Sequence, residues 1–388
     1  MKKILGIVVE FNPLHNGHLY FINEAKRIIN PDVTIAVMSS SFAMRGDVMV
    51  IDKFTRTKLT LEFGIDIVLE LPFISAVQST DYFCFNAINI LNSFNITHLA
   101  FGAELANLEK LRTLNYIISQ KSFQKYIKDS LDKGHSYPTS ALKALKQLTN
   151  DQELIENFSL PNNTLALGYL KAIDKLGGNI EVIPIKRIYA NYYDEIPTHS
   201  QIASANAIRN LMIENKPFTQ YLPEKLHNIS FANLKLAEDN LFLLLKHTFN
   251  VVPLSKIKSF FGVNEGIENR IANFLDKTTN YQELISLIET KRYPKNRIKR
   301  TLLHIILQTP KQFENQYHSY LRILGFSKQG EKYIKTLPKE TKEKIVSNLK
   351  NITNCDIINI ELQASKLYSL ITNNNSFYLN EFIGPIKI

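Results

Sequence analysis

The chain has 388 residues, 45% of them hydrophobic, and its 46 Lys and Arg against 36 Asp and Glu give a formal net charge of +10. These values predict an ordinary globular protein, most naturally of two domains, whose positive charge favours association with a polyanion. The two cysteines, Cys84 and Cys355, lack paired metal-ligand spacing. They argue against a disulfide scaffold and a structural zinc site, and they fit a reducing cytosol.

The apolar start of the chain predicts a strand. Glu10 and the Asn12-Pro13 pair interrupt the run that begins at Ile4, so a signal peptide is not indicated. No stretch approaches the roughly 18 uninterrupted apolar residues that cross a bilayer. We therefore expect a cytoplasmic protein without a membrane partner.

Short β-branched runs alternate with helical patterns in the first half. The predicted strands are residues 4–11, 33–38, 65–71, 96–101 and 180–188. Several are apolar almost throughout, which is typical of parallel strands covered by helices on both faces. Between the strands, apolar residues recur at helical spacing in 19–29, 80–94 and 108–118. The pattern predicts an α/β fold with a doubly wound parallel sheet, in which residues 121–158 are a helix-prone insertion before the last strand.

Strand signals fade after Pro217, and helical patterns dominate the second half. The predicted helices are residues 231–249, 281–288, 297–307 and 340–349. Pro217 and Pro223 flank a short polar connection, which is typical of a boundary between domains. We therefore predict an α/β domain at 1–216 and a mainly helical domain at 217–388.

The sequence His15-Asn16-Gly17-His18 lies where the first predicted strand gives way to an amphipathic helix. Ligands of α/β sheets bind at the carboxyl ends of strands, and a helix N-terminus offers N–H groups to a phosphate. Gly17 lacks a Cβ that would hold a nucleotide off the backbone, and the two imidazoles can face one anion. The pattern predicts a nucleotide-handling enzyme. A zinc site is not predicted, because no third ligand stands nearby.

Residues 202–209 form a second strand-to-helix junction. Ser204 or Asn206 can cap a helix whose opening turn holds Arg209, and a capped N-terminus beside a guanidinium suits a triphosphate. An ordinary cap with a surface arginine is the alternative. Two such junctions at one edge of a sheet can hold opposite ends of a nucleotide.

A basic run occupies residues 291–300. Its six cations are Lys291, Arg292, Lys295, Arg297, Lys299 and Arg300, with one aromatic residue, Tyr293, and no anion. This is the composition expected of a contact with a phosphate backbone, although a solvated helix face stays possible. Lys328, Lys332 and Lys335 with Tyr333 form a second patch with the same two interpretations.

The order of these motifs resembles the tRNA(Met) cytidine acetate ligase family of the HxGH nucleotidyltransferase superfamily. The matching segments are residues 8–18, 45–46, 52–56, 70–73, 78–81, 101–104, 161–163 and 202–209. These segments follow one another in order between residues 8 and 209, and the likeness covers nearly the whole chain, so it is far more specific than the four-residue motif. The resemblance implies a HUP-like nucleotidyltransferase fold, with ATP bound by residues 1–216 and tRNA bound by 217–388.

The resemblance also implies an activity. Members of this family use ATP and acetate to form acetyl-adenylate and then acetylate N4 of the wobble cytidine of elongator tRNA(Met). The residues that the resemblance places against ATP are Ile7, Val8, Val9, Glu10, Phe11, Asn12, Pro13, Leu14, His15, Asn16, Gly17, His18, Leu19, Tyr20, Gly102, Asn162, Asn163, Arg187 and Ile188.

The chemistry of adenylate formation assigns roles within this set. Charge develops on the nonbridging oxygens and on the departing pyrophosphate, and fixed donors stabilise both. We expect His15 and His18 at the α-phosphate, Ser204 and Arg209 at the β- and γ-phosphates, and Mg²⁺ as the counterion of the triphosphate. A wobble base must be unstacked to react, so the 291–300 run is the expected tRNA platform. No protein partner is evident.

Two other functions stay open at this stage. A nucleotidyltransferase that adenylates a small cofactor precursor would carry similar motifs around the sheet, but its helical half would lack a purpose. A noncatalytic RNA-binding protein could keep the nucleotide fold as a scaffold.

Overall fold

Eight strands form a single sheet in the part of the chain that the structure describes. The computed structural model describes residues 2–188, 196–314, 320–349 and 355–388. The strands are β1 (Ile4–Val9), β2 (Val33–Ser39), β3 (Ile67–Leu71), β4 (His98–Ala103), β5 (Glu181–Lys186), β6 (Leu321–Phe326), β7 (Ile345–Val346) and β8 (Ile386–Lys387). Their order is β5-β4-β1-β2-β3-β6-β7, with β8 beside β6. Because β1 lies between β2 and β4, the strand order reverses there, which is where such sheets bind ligands.

Helices cover both faces of the sheet and form most of the second half. They are α1 (Asn16–Ile29), α2 (Lys53–Glu62), α3 (Phe73–Ala76), α4 (Thr80–Ser93), α5 (Leu108–Ser119), α6 (Lys121–Leu131), α7 (Tyr137–Leu148), α8 (Gln152–Asn157), α9 (Pro161–Leu176), α10 (Ala205–Ile213), α11 (Leu234–Val251), α12 (Leu254–Ile257), α13 (Ile267–Leu275), α14 (Tyr281–Ile288), α15 (Lys295–Ile306), α16 (Lys328–Thr336), α17 (Lys339–Lys344), α18 (Asp356–Ile371) and α19 (Ser376–Leu379). No described helix is both long and apolar enough to cross a membrane.

The structure confirms the α/β fold. Every residue of β2 and β3 is buried, as expected of strands covered on both faces. The five strands of the first half pair in parallel. The predicted insertion, residues 121–158, forms α6, α7 and α8.

The second half contributes strands that the sequence did not reveal. β6 pairs antiparallel with β3, so the sheet is mixed. Its six residues are mostly apolar, and a run this short has no periodicity that separates strand from helix. The predicted helix 340–349 was too long, because α17 ends at Lys344 and β7 follows at once. β6 belongs to the second half of the chain but pairs within the sheet of the first half. The domain boundary between residues 216 and 217 therefore stays a prediction.

A buried network of charges joins the sheet to the last helices. Lys53, the first residue of α2, donates to Glu70 on β3 (2.5 Å) and Glu361 on α18 (2.8 Å), and its Nζ lies 2.6 Å from Glu381 Oε1. Arg322 on β6 lies 3.2 Å from Glu70 and 2.6 Å from Glu381. All five side chains are buried. Three carboxylates face two cations, and burial, assisted by Glu70 and Glu381, raises the pKa of Glu361, which favours a proton on that carboxyl.

Replacement of Lys53 by Met should therefore be strongly destabilising. The change leaves three buried carboxyl groups with one cation, and breaking a buried ion pair from one side costs about 3–5 kcal/mol. The free energy of unfolding, measured with denaturant, tests this. Lys58→Met on the exposed side of the same helix is the control, and equal destabilisation of the two variants would contradict a special role of Lys53.

Candidate active site

A cavity of about 380 Å³ lies at the carboxyl ends of β1, β4 and β5. Sites for small molecules have volumes of roughly 300–1,000 Å³. The start of α1 and the start of α10 also form its wall. Within the described residues, five cationic side chains and two carboxylates line it: Arg45, Lys186, Arg187, Arg209 and Arg300, and Glu10 and Asp47. The excess of cations suits a polyanion.

A buried arginine fixes the strand ends beside this cavity. Arg56 on α2 donates to the carbonyl oxygens of Glu10 (2.7 Å), Ser39 (2.9 Å) and Ile51 (3.0 Å). It also donates to the Ser40 carbonyl oxygen. One guanidinium therefore holds together the carboxyl ends of β1 and β2.

The two motif histidines form the first turn of α1. His15 is the N-cap, and its Nδ1 accepts the Gly17 N–H (3.1 Å). His18 Nδ1 accepts the His15 N–H (3.3 Å), and the rings stack with centroids 3.7 Å apart. Because each ring accepts at Nδ1, its proton is on Nε2, where it can be donated to an oxyanion.

Gly17 leaves room for this capping geometry. A Cβ at Gly17 would lie 3.0 Å from His15 Cε1 and 3.1 Å from His15 Nδ1. A side chain there would press on the capping ring. The absence of a side chain at Gly17 therefore leaves space for the His15 ring and also leaves the backbone accessible to a ligand.

Both imidazoles are neutral in this structure. Burial lowers the pKa of His15 well below its usual value, and His18, Arg187 and Arg209 add to the effect. Burial, with Arg187, lowers the pKa of His18 to about 3. The site therefore combines neutral hydrogen-bond donors with nearby permanent cations.

The second junction places Arg209 in the same cavity. Ser204 caps α10, and its Oγ accepts the Ala207 N–H (3.0 Å), which decides between the two caps considered from the sequence. Arg209 Nη1 donates to the Asn12 carbonyl oxygen (2.8 Å). Its Nη2 lies 3.4 Å from Asp47 Oδ2. The predicted neighbourhood of the two junctions is thus present.

The cavity contains most of the residues expected to bind ATP. Those that line it are Val8, Val9, Glu10, Phe11, Asn12, His15, Gly17, His18, Tyr20, Gly102, Asn162, Arg187 and Ile188. Ile7, Pro13, Leu14, Asn16, Leu19 and Asn163 are not among the lining residues. Ile7 and Leu14 belong to the hydrophobic core. Asn163 is buried, and its Oδ1 accepts the N–H groups of Glu104 (3.1 Å) and Leu105 (2.9 Å), so its amide supports the end of β4.

The basic run divides into an exposed part and a part that closes the cavity. Lys291, Arg292 and Lys295 are exposed. Arg297 lies 2.9 Å from Glu265. Lys299 lies 2.7 Å from Asp47, and Arg300 lines the cavity. In the second patch, Tyr333 is buried and donates to the Phe94 carbonyl oxygen (2.7 Å), so it offers no ring to a partner.

The loop between β2 and α2 supplies site residues that had no assigned role. Met44, Arg45 and Asp47 line the cavity. Gly46 has φ +81°, and a Cβ there would lie 2.8 Å from Arg300 N, so the loop packs closely on α15. The Arg45-Gly46 pair was a signal in the sequence, but its contact with α15, more than 250 positions later, was not.

The family model for HIGH Nucleotidyl Transferase matches residues 1–381. The chain belongs to this family. Relatives that match nearly the whole chain are named tRNA(Met) cytidine acetate ligase, a name more specific than that of the family. The Staphylococcus saprophyticus protein is 32% identical over 385 residues, and a Clostridium perfringens protein is 33% identical over 403 aligned positions. Each alignment covers 99% of both chains, which confirms the resemblance seen in the motifs.

Solved structures of a similar protein agree with this chain over its whole length. Apo Thermotoga maritima TmcAL matches with a TM-score of 0.90 at 30% identity, covering 100% of this chain and 99% of that one. The same protein bound with alpha-thio ATP matches with a TM-score of 0.86 at 29% identity, with the same coverage.

The neutral state of His18 can be tested directly. Because burial and Arg187 hold its pKa at about 3, we expect the ring to keep its single proton on Nε2 from pH 8 to pH 5. Ring ¹⁵N chemical shifts report both the charge and the tautomer, and His18→Asn assigns the signals. A ring that gains a proton above pH 5 would contradict the geometry described.

Proposed function

We propose that the protein activates acetate with ATP as acetyl-adenylate and transfers the acetyl group to N4 of the wobble cytidine of elongator tRNA(Met). The observation that carries this proposal is the pair of helix N-termini, α1 and α10, that face one cation-rich cavity at the switch point of the sheet. Relatives over 99% of the chain bear the name of this activity, and the Thermotoga maritima relative binds an ATP analogue.

The first half-reaction uses the donors at the switch point. We infer that Gly102, Asn162, Arg187 and Ile188 hold the adenosine part of ATP, because they line the cavity at the ends of β4, α9 and β5. The Nε2–H groups of His15 and His18 then stabilise the α-phosphate as acetate attacks. Arg209 and the N-terminus of α10, capped by Ser204, hold the β- and γ-phosphates. Fixed neutral donors stabilise the developing charge without a proton transfer.

Mg²⁺ enters this proposal with the substrate. The described residues offer no group of three or more His, Cys, Asp or Glu side chains that could hold a metal ion. Mg²⁺ commonly binds through substrate phosphates with few protein ligands. It would therefore neutralise part of the triphosphate, while the protein's own donors hold the α-phosphate.

The second half-reaction needs a grip on RNA near the cavity. We propose that the exposed part of the basic run holds the tRNA backbone while the wobble base enters the cavity. α15 suits this task because its Asn296 and Arg300 line the cavity, while its first residue, Lys295, is one of the exposed cations. Residues 1–216 would thus bind ATP, and residues 217–388 would bind most of the tRNA. We propose that the reaction takes place in the cytoplasm.

Replacement of His18 by Ala tests the first half-reaction. Loss of one fixed donor at a developing oxyanion costs roughly 10²–10³ in rate, so we expect acetate-dependent ATP–pyrophosphate exchange to fall by that factor. tRNA affinity should stay within twofold. His247→Ala on the exposed side of α11 is the control.

Two results would count against this function. Undiminished exchange in His18→Ala would remove that residue from the chemistry. Exchange in the unmodified protein that ignores acetate but needs a phosphorylated cofactor precursor would favour the adenylation of that precursor.

Charge reversal of Lys291, Arg292 and Lys295 to Glu tests the second half-reaction. We expect weaker tRNA binding and a shallower dependence of log Kd on log salt, by about one unit for each phosphate group that the protein no longer neutralises. Acetate-dependent exchange should be unchanged. Reversal of the three exposed lysines of α17, Lys339, Lys342 and Lys344, gives the same change in net charge. Equally weakened binding in both variants would show an effect of net charge alone.

A further inference from the structure

Two carboxylates line the cavity within the described residues, and Asp47 is unsuited to accept a proton. Its Oδ1 lies 2.7 Å from Lys299 Nζ and its Oδ2 lies 3.4 Å from Arg209 Nη2. Although burial opposes them, these two cations lower the pKa of Asp47 to about 2. Both oxygens are engaged, so Asp47 serves to hold the two cations.

Glu10 has the opposite properties. It follows β1 directly, and its Oε1 accepts the Met44 N–H (2.6 Å). Among the residues that the structure describes, its other carboxylate oxygen has no hydrogen bond. Burial raises the pKa of Glu10 and Asp47 adds to the effect, while the Met44 N–H, Arg45 and Arg209 oppose it. A carboxylate with a raised pKa is a better base near neutral pH than an ordinary one.

Met44 links Glu10 to α15, the helix that we propose binds the RNA. The Met44 residue that holds its Oε1 also accepts, through its carbonyl oxygen, a hydrogen bond from Arg300 on α15 (3.5 Å). α15 begins in the exposed basic run. On another side, the α9 residue Tyr169 lies close enough for Glu10 to raise the pKa of its phenol, after the larger effects of burial and Cys84. Glu10 thus lines the same cavity as the histidine motif and is joined through Met44 to the helix proposed to bring in the base.

We propose that Glu10 is the proton acceptor for acetyl transfer to the cytidine amine. The inference rests on the proposed function and deepens it. N4 attacks the acetyl carbonyl carbon, the N–C bond forms, and the bond between that carbon and the bridging phosphate oxygen breaks, which releases AMP. The proton that N4 loses passes to the free oxygen of Glu10.

The chemistry of the two half-reactions makes a proton acceptor useful in only one of them. Acetate enters adenylate formation already ionised, and neither ATP nor pyrophosphate must give up a proton to the protein. The exocyclic amine of cytidine is weakly basic, and it becomes acidic only as its bond to carbon forms. A base at this point contributes typically about 10²–10⁴ in rate.

Glu10→Gln separates this role from a structural one. The amide oxygen of Gln can still accept the Met44 N–H, so the loop between β2 and α2 keeps its support, but the side chain no longer accepts a proton. Because Glu10 also lines the ATP cavity, acetate-dependent ATP–pyrophosphate exchange measures any effect of the substitution on ATP binding. Single-turnover transfer from preformed acetyl-adenylate to a tRNA(Met) transcript should fall by about 10²–10⁴ relative to that exchange. Glu24→Gln on α1, which does not line the cavity, is the matched control.

The pH profile provides a second measurement. In the unmodified protein the transfer rate should rise with pH as Glu10 loses its proton and then level off, whereas Glu10→Gln should lack that rise. The groups that set this titration are Asp47, Arg45 and Arg209 around the carboxylate, with Tyr169 opposite.

Three outcomes overturn the inference. Transfer by Glu10→Gln within threefold of the unmodified protein would exclude Glu10 as the base. A parallel loss of exchange and transfer would show a role in the ATP site or in the loop. Absence of acetate-dependent exchange in the unmodified protein would instead remove the proposed function on which the inference rests.

Discussion

Arg56 holds the carboxyl ends of β1 and β2 together. The histidine motif follows β1 and the loop before α2 follows β2, so both start from strand ends that Arg56 holds in place. Its guanidinium serves carbonyl groups of Glu10, Ser39, Ser40 and Ile51. Buried carbonyl groups without donors are costly, and a planar side chain with five N–H groups can satisfy several at once. Burial lowers the pKa of Arg56 to about 10, which leaves it charged at neutral pH. The histidine motif and the loop before α2 therefore start from a rigid edge.

The helical half completes this edge, because polar contacts tie α15 to the first half. Lys299 pairs with Asp47, Arg300 donates to the Met44 carbonyl oxygen, and His304 Nε2 lies 3.0 Å from the Val77 carbonyl oxygen. Removal of the second half would leave Asp47 without Lys299 and the loop without its neighbouring helix. The cavity is thus built partly from α15, the helix that begins in the exposed basic run. Nucleotide and RNA contacts can share one structural element.

Charge is distributed in this site according to what each group must do. Arginines and a lysine line the cavity, whereas the two histidines inside it are neutral donors. A positive charge on His18 would be buried and would lie near the positive charge of Arg187. Burial, with Arg187, therefore lowers the pKa of the imidazole. Asp47 is fully ionised between two cations, while Glu10 keeps a raised pKa. Two carboxylates in one cavity therefore differ in chemistry because their neighbours differ.

The sequence by itself determined the elements whose signals are local. The apolar runs at β1 to β5, the helix-start motif at His15, a helix cap at Ser204 or Asn206 and the cluster of cations at 291–300 each depend on neighbours in the chain, and the structure contains them, with Ser204 as the cap. Only the tertiary structure decided that β6 pairs with β3, that Tyr333 is buried, and that Lys299 and Arg300 turn to Asp47 and the cavity. Those outcomes depend on partners hundreds of positions away, and a buried pair of charges leaves no periodic pattern in either segment.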